Sequence, residues 1–326
     1  MSPQLLIDTD VGVDDARAIV TALRTPNVHV VALSTVHGCS PVDQATANAS
    51  RIMRLCNVKI PVHKGADGPI LPTPPKERLF FTNVHGADGL GGCPTIAPEL
   101  LPDDFNIAVD TQTAALAMIE YSKLYEGQLT LVCIAPLTNL ATALKLDPLV
   151  GDRFKSICIM GGNVYGVGNQ QGSSAESNFR ADPEAAHIVL EQINRTPITL
   201  IPWDLCIEHG PLNRHMGSFD FNGHLHSNTR IARFLLAATS PCRAHCAQLG
   251  QQLTYVDEVA VGVAIDSDAL VTASVRARPW VELRGTRTRG QLAIDWEHNV
   301  DVGNVTIVTG YDRAKLREMI VKAIQD

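Results

Sequence analysis

The sequence predicts an α/β protein with a mostly parallel, doubly wound central sheet and a decorated C-terminal third. Three observations carry this reading. Short runs that are apolar throughout alternate with amphipathic stretches up to Trp203, the pattern of strands buried on both faces with crossover helices between them. Polar and acidic residues gather just after those runs, where open α/β sheets collect their ligands. Beyond Trp203 the alternation stops and His, Asn and Arg become frequent.

Residues 5–7 read as the first strand, Gly12 as the residue that permits a tight turn, and 14–23 as a helix. A strand over 28–35, a helix over 42–55 and a strand over 58–63 follow. The Gly- and Pro-rich segment 65–102 reads as a long loop over the sheet's edge. A helix over 111–121 leads to strands at 129–134, 156–160 and 198–203, separated by helices at 137–146 and 183–191. Pro136 and Pro183 suit early helix positions. Residues 211–252 read as helical segments and loops, 259–265 as a helical run, 271–282 and 290–295 as strands, and 313–324 as the closing helix. No linker composition and no internal repeat divides residues 1–326, so one domain is expected.

With 45% hydrophobic and 19% charged residues, the 326-residue chain has ample apolar content for a large core. A net charge of −7 argues against nucleic acid or an anionic membrane as the main partner. No apolar run is long enough to span a bilayer, and the N-terminus enters the first strand without room for a signal peptide. Eight cysteines are too few for a disulfide scaffold, and Cys133 and Cys158 sit inside apolar runs as small hydrophobes. Cys242 and Cys246, with His245 between them, lack the second ligand pair that a zinc site needs. A reducing, cytoplasmic location is expected.

The strongest chemical signal is the run Asp8-Thr9-Asp10-Val11-Gly12-Val13-Asp14-Asp15-Ala16. Helix capping uses one or two acids, not four. Like charges at this density need an offset, and calcium or magnesium, which prefer carboxylate oxygens, supplies it. An EF-hand is disfavoured because no Glu closes the loop that starts at Asp8. A phosphohydrolase of the Asp-x-Asp type is disfavoured because Gly12 stands where Thr or Val belongs. The glycines after His85 are no dinucleotide fingerprint, since no strand precedes them.

With the downstream segments Leu137-Thr138-Asn139, Met160-Gly161-Gly162, Glu176-Ser177-Asn178, Asp182-Pro183-Glu184-Ala185-Ala186 and the late Asp257, the chain resembles the calcium-dependent nucleoside hydrolases, the inosine–uridine type of nucleoside N-ribohydrolase. The likeness covers nearly the whole chain and includes every required acid of the opening signature. It implies an open α/β nucleoside hydrolase-like fold and hydrolysis of purine or pyrimidine ribonucleosides to free base and ribose. It implies a Ca2+ ion held by Asp10, Asp15, Asp257 and a backbone carbonyl, that of Ile134. Asp10 would also be the general base, Asp14 would receive a ribose hydroxyl, and Asp8 would orient its neighbours from behind. Met160, Glu176, Asn178 and Asn169 would hold the substrate, with Asn163 competing for the place of Asn169 because the spacing is longer than in relatives. His85 would lie near the base. The implied partner is a small ribonucleoside, with neither nucleic acid nor membrane, and homodimers or homotetramers are usual for the family.

Two positions depart from the family's best-known branch. Cys39 stands where that branch has asparagine, which makes it a site candidate beside ribose or base. Val256 stands where it has the histidine that protonates the leaving base. Valine donates no proton, so His245, His85, Tyr255 or water must take over, and Cys39 as a thiol is a weak donor. A catalytically weak nucleoside- or ribose-binding protein is the alternative this raises. Glu176 also reads as a helix cap, and Trp203-Asp204 as a core tryptophan followed by a cap.

Overall fold

Six parallel strands, β1 (Gln4–Thr9), β2 (His29–Thr35), β3 (Val62–Lys64), β4 (Leu129–Cys133), β5 (Ser156–Met160) and β6 (Ile198–Ile201), form the body of the sheet in the computed structural model. The structure describes residues 2–72, 82–106, 112–169, 172–208, 210–213, 218–297 and 303–325. Later in the chain come β7 (Val271–Ala277), the short pair β8 (Trp280–Val281) and β9 (Leu292–Ala293), and β10 (Val305–Tyr311). The main sheet runs β3-β2-β1-β4-β5-β6-β10-β7, with β10 parallel to β6 and β7 antiparallel at the edge.

The apolar runs are strands because both of their faces are covered. Leu5 and Ile7 join one core with the helices Val13–Arg24, Val42–Cys56 and Asp257–Ile265. Leu6 joins a second core with the helices Ala114–Leu124, Thr138–Leu146 and Pro183–Gln192. Alternate side chains of one strand thus feed opposite layers. The strand order reverses between β1 and β4, and the crevice above their carboxyl ends is where such sheets bind ligands.

Several boundaries differ from those the sequence predicts, and prolines account for two of them. Pro61 has no N–H to give the ladder, so β3 begins at Val62 rather than at Val58; the Pro61 carbonyl accepts from Leu33 at 3.0 Å. Pro279 splits the single strand expected over 271–282, sending β7 to the main sheet and β8 to its pair with β9. The strand expected over 290–295 shortens to Leu292–Ala293, and β6 ends before Trp203, which opens the helix Trp203–Cys206. β10 went unanticipated. Within the segment 65–102 there is a short helix, Thr82–His85, while 73–81 lie outside the described residues. The start of the helix expected at Thr111 also lies outside them, as do 214–217 of the His-rich stretch. Among the described residues no helix is long and apolar enough to cross a membrane.

One buried ion pair fixes the late acids against the early ones. Arg17, on the helix Val13–Arg24, places Nε 2.6 Å from Glu258 Oε1, and both side chains are fully buried. Arg17 also donates to the Thr254 carbonyl at 2.7 Å. Arg17→Met leaves Glu258 buried and unpaired, and such a loss costs about 3–5 kcal/mol. A lower urea midpoint with an unchanged slope is the expected result, and an unchanged midpoint would show that Glu258 is neutral without its partner.

Candidate active site

The chain leaves β1 through a turn whose constraint falls on Val11, not on Gly12. Val11 has φ 48, the left-handed region that a β-branched residue enters only at a cost. Gly12 keeps φ −85. What Gly12 supplies is room, since a Cβ there would lie 2.5 Å from His85 Nδ1 and 2.9 Å from Cys39 Sγ. The turn is held from within: Val11 N–H donates to Thr9 Oγ1 at 3.1 Å, Thr9 Oγ1 to Asp15 Oδ1 at 2.5 Å, and Gly12 N–H to Asp15 Oδ2 at 2.9 Å. It is held from outside by Asn48, whose amide donates to the carbonyls of Val11 at 3.2 Å and Asp88 at 2.8 Å.

Asp10 is buried under the loop that follows β2. The Cys39 N–H donates to Asp10 Oδ2 at 2.6 Å, and a Cβ on Gly38 would lie 1.7 Å from that oxygen. Carboxylate oxygens of Asp14, Asp15 and Asp257 all lie within 4.8 Å of one another, as do those of Asp10 and Asp15 with Cys39 Sγ. Burial first, and neighbouring carboxylates second, push Asp10 and Asp257 well above the usual carboxylate range and Asp15 to about 7. Asp257 is buried, yet among the described residues its carboxylate accepts no hydrogen bond. Hard oxygen donors crowded together in this way fit a divalent cation, which would offset both the burial and the repulsion. Asp8 sits behind them, its Oδ1 accepting from Ser34 Oγ at 2.6 Å and Asn139 Nδ2 at 2.8 Å, with burial raising it to about 7. Its backbone carbonyl receives the Ile134 N–H at 2.9 Å, which sets the end of β4 beside the acids.

A cavity of about 660 Å3 opens above these carboxylates. Asp10, Asp14, Asp15, Cys39, His85, Ile134, Met160, Asn169, Glu176, Asn178, His245 and Asp257 all line it, so the residues nominated from sequence meet in one place. Asn163 does not line it: that side chain is buried and spends its amide on the Ser174 carbonyl. Glu176 both faces the cavity and caps the helix Ser177–Ala181. Its Oε1 accepts from Asn178 N–H and Ser177 Oγ, each at 2.7 Å, and its Oε2 accepts from Gly162 N–H at 2.8 Å and Phe179 N–H at 3.1 Å. Burial still raises its carboxyl above the usual range. Asn178 Nδ2 donates to the Met160 carbonyl at 3.2 Å, and Asn169 Nδ2 to Ser177 Oγ at 3.1 Å.

The side chains proposed to replace the missing leaving-group acid separate here. Tyr255 is buried against Phe219 and Phe221 and does not line the cavity. It follows the chain's alternation away from Val256, which does face the cavity. Tyr255 is therefore no acid for this site. His245, on the helix Ser240–Gln248, stands exposed at the rim. His85 is buried, and its Nδ1 accepts the Val13 N–H at 3.2 Å and lies 3.8 Å from Asp14 Oδ1. Burial pulls the ring below the ordinary histidine range, while the neighbouring Asp14 acts in the opposite direction. Cys39 Sγ donates to the Asp10 carbonyl at 3.3 Å, and burial together with Asp10 holds the thiol protonated.

Some lining residues had no site role assigned from the sequence. Trp203 packs against the core and also walls the cavity, and Asp204 accepts from the Val164 N–H at 2.6 Å instead of capping a helix. His37 also lines the cavity; its Nε2 lies 3.1 Å from Thr138 Oγ1, which donates to Asp182 Oδ2 at 2.7 Å. Both residues follow a strand end, where open α/β sheets collect their ligands. Arg289, paired with Glu184 at 2.7 Å, enters from the decorated third and had no local signal.

Residues 5–318 match the family described as inosine-uridine preferring nucleoside hydrolase. The chain is similar to the inosine-uridine preferring nucleoside hydrolase of Crithidia fasciculata, 29% identical over 309 residues that cover 91% of this chain and 89% of the relative. It is 36% identical over 187 residues to the probable uridine nucleosidase 1 of Oryza sativa subsp. japonica, covering 57% of this chain and 54% of that one. The chain thus spans about half the length of the uridine nucleosidases it matches. A solved inosine-guanosine nucleoside hydrolase superposes with a TM-score of 0.86 at 27% identity, covering 99% of both chains. The doubly wound sheet, the acids at its switch point and these matches agree that the chain belongs to the inosine-uridine preferring nucleoside hydrolase family.

Proposed function

We propose that the protein hydrolyses the N-glycosidic bond of purine or pyrimidine ribonucleosides, giving free base and ribose. The observation that supports this best is that acids from both ends of the chain line one cavity with Glu176 and Asn178. Asp10, Asp15, Asp257 and the Ile134 carbonyl would hold calcium, whose charge, when bound, lowers the pKa of neighbouring water. Asp10 accepts the proton of the attacking water. Asp14 receives a ribose hydroxyl, while Asn169, Glu176 and Asn178 orient the sugar against Met160. As the bond breaks, the ribosyl group takes on oxocarbenium character, and the surrounding carboxylates stabilise that positive charge. Val256 gives the departing base only an apolar wall. Its proton comes from His85, His245 or water. We assign the chain to the cytoplasm as one nucleoside hydrolase-like domain, assembled as a homodimer or homotetramer.

Incubation with inosine, uridine and adenosine in calcium, read as released reducing sugar, tests the proposal. Turnover of at least one is expected. No turnover of any, with nucleoside still bound, would leave the weak binding-protein reading that Val256 raises.

A further inference from the structure

Cys39 gives the acidic centre a donor of a different kind. Two carboxylate oxygens, from Asp10 and Asp15, and Cys39 Sγ lie within 4.8 Å of one another, and all three residues are buried. Donors grouped this closely could hold one ion. The sulfur is fixed in place: it lies 3.3 Å from the Asp10 carbonyl oxygen, and the Cys39 N–H is bonded to Asp10 Oδ2 at 2.6 Å. A second observation points to a cation beside Asp15. Asp257, only 2% exposed, shares Asp15 as a neighbour in the adjoining oxygen group and accepts no hydrogen bond among the described residues. Calcium takes oxygen and gains nothing from a thiol. Zinc-class ions gain strongly from thiolate sulfur.

We propose that this centre also takes a thiophilic divalent cation, zinc or cadmium, on Asp10, Asp15 and Cys39 Sγ, in competition with calcium. The proposal rests on the reading of Asp10 and Asp15 as metal ligands. Binding forms a metal–sulfur bond and releases the thiol proton to solvent, with no change of oxidation state. Thiophilic ions are then competitive occupants that a purely oxygen-lined centre would resist.

Cadmium is the probe, because its thiolate complexes absorb in the ultraviolet where calcium complexes do not. The full chain, stripped with a chelator, is titrated with cadmium while charge-transfer absorbance is recorded, and calcium binding is followed separately by thermal shift. The wild type should gain the band. Cys39→Ser and Cys39→Ala should lose it and bind cadmium about tenfold more weakly or worse, while the calcium shift remains and shows both variants folded. Cys246→Ser, on the same cavity wall, should keep the band. A band that survives both Cys39 variants, or that is absent from a wild type still shifted by calcium, overturns the proposal. A wild type showing neither band nor calcium shift overturns the metal-site reading as well.

Discussion

Asp10→Ala is expected to reduce turnover more than about a hundredfold, since positioned general bases contribute ~10²–10⁴-fold and this residue is also a proposed metal ligand. The loss should fall on kcat, with the protein still folded. Asp10 is buried among carboxylates that burial and mutual repulsion already push upward. Removing one of them relieves that repulsion, so the calcium-free variant should unfold at a temperature no lower than the wild type. The combination of lost catalysis and preserved stability separates a chemical role from a structural one. Activity above about 1% of wild type would contradict the assignment of Asp10 as base.

Calcium removal is the second large effect. A chelator should abolish turnover, and added calcium should restore it. Binding to the folded state alone at a hundredfold excess over Kd adds ~2.7 kcal/mol of stability, about 4 °C in Tm for a chain of this length. Asp257→Asn should cancel that shift. The buried Asp257 carboxylate accepts no hydrogen bond among the described residues, so the substitution removes a proposed metal ligand and little else. If Asp257→Asn keeps the full shift, the late acid is not a ligand and the ion is held by Asp10, Asp15 and the Ile134 carbonyl without it.

How much of this was legible in the sequence depended on whether the signal was local. The aspartate run was legible because no packing role needs so many acids in one turn. The strand ends after β1, β4 and β5 were legible because polar residues there interrupt otherwise apolar runs. β10 was not, because Val305–Tyr311 earns its place through β6 and β7, which lie far from it in sequence. Tyr255, one of the candidate acids, neighbours Val256 in sequence but does not line the cavity. The chain turns it into an aromatic cluster, while Val256 and Asp257 face the cavity. Glu176 showed that a cap and a site residue can be the same group: its oxygens accept four donors of the protein, yet the side chain borders the cavity. The motifs around Thr138 and Asp182 carry structure more than chemistry, since Thr138 bonds Asp182 beneath His37.

Asn48 joins two separate stretches of the site. Its single amide grips the Val11 carbonyl in the aspartate turn and the Asp88 carbonyl just beyond His85. The floor of the site and the stretch of roof carrying His85 are therefore riveted together. If that stretch lifts to admit a nucleoside, it pulls on the backbone of the aspartate turn, and opening the door loosens the hearth.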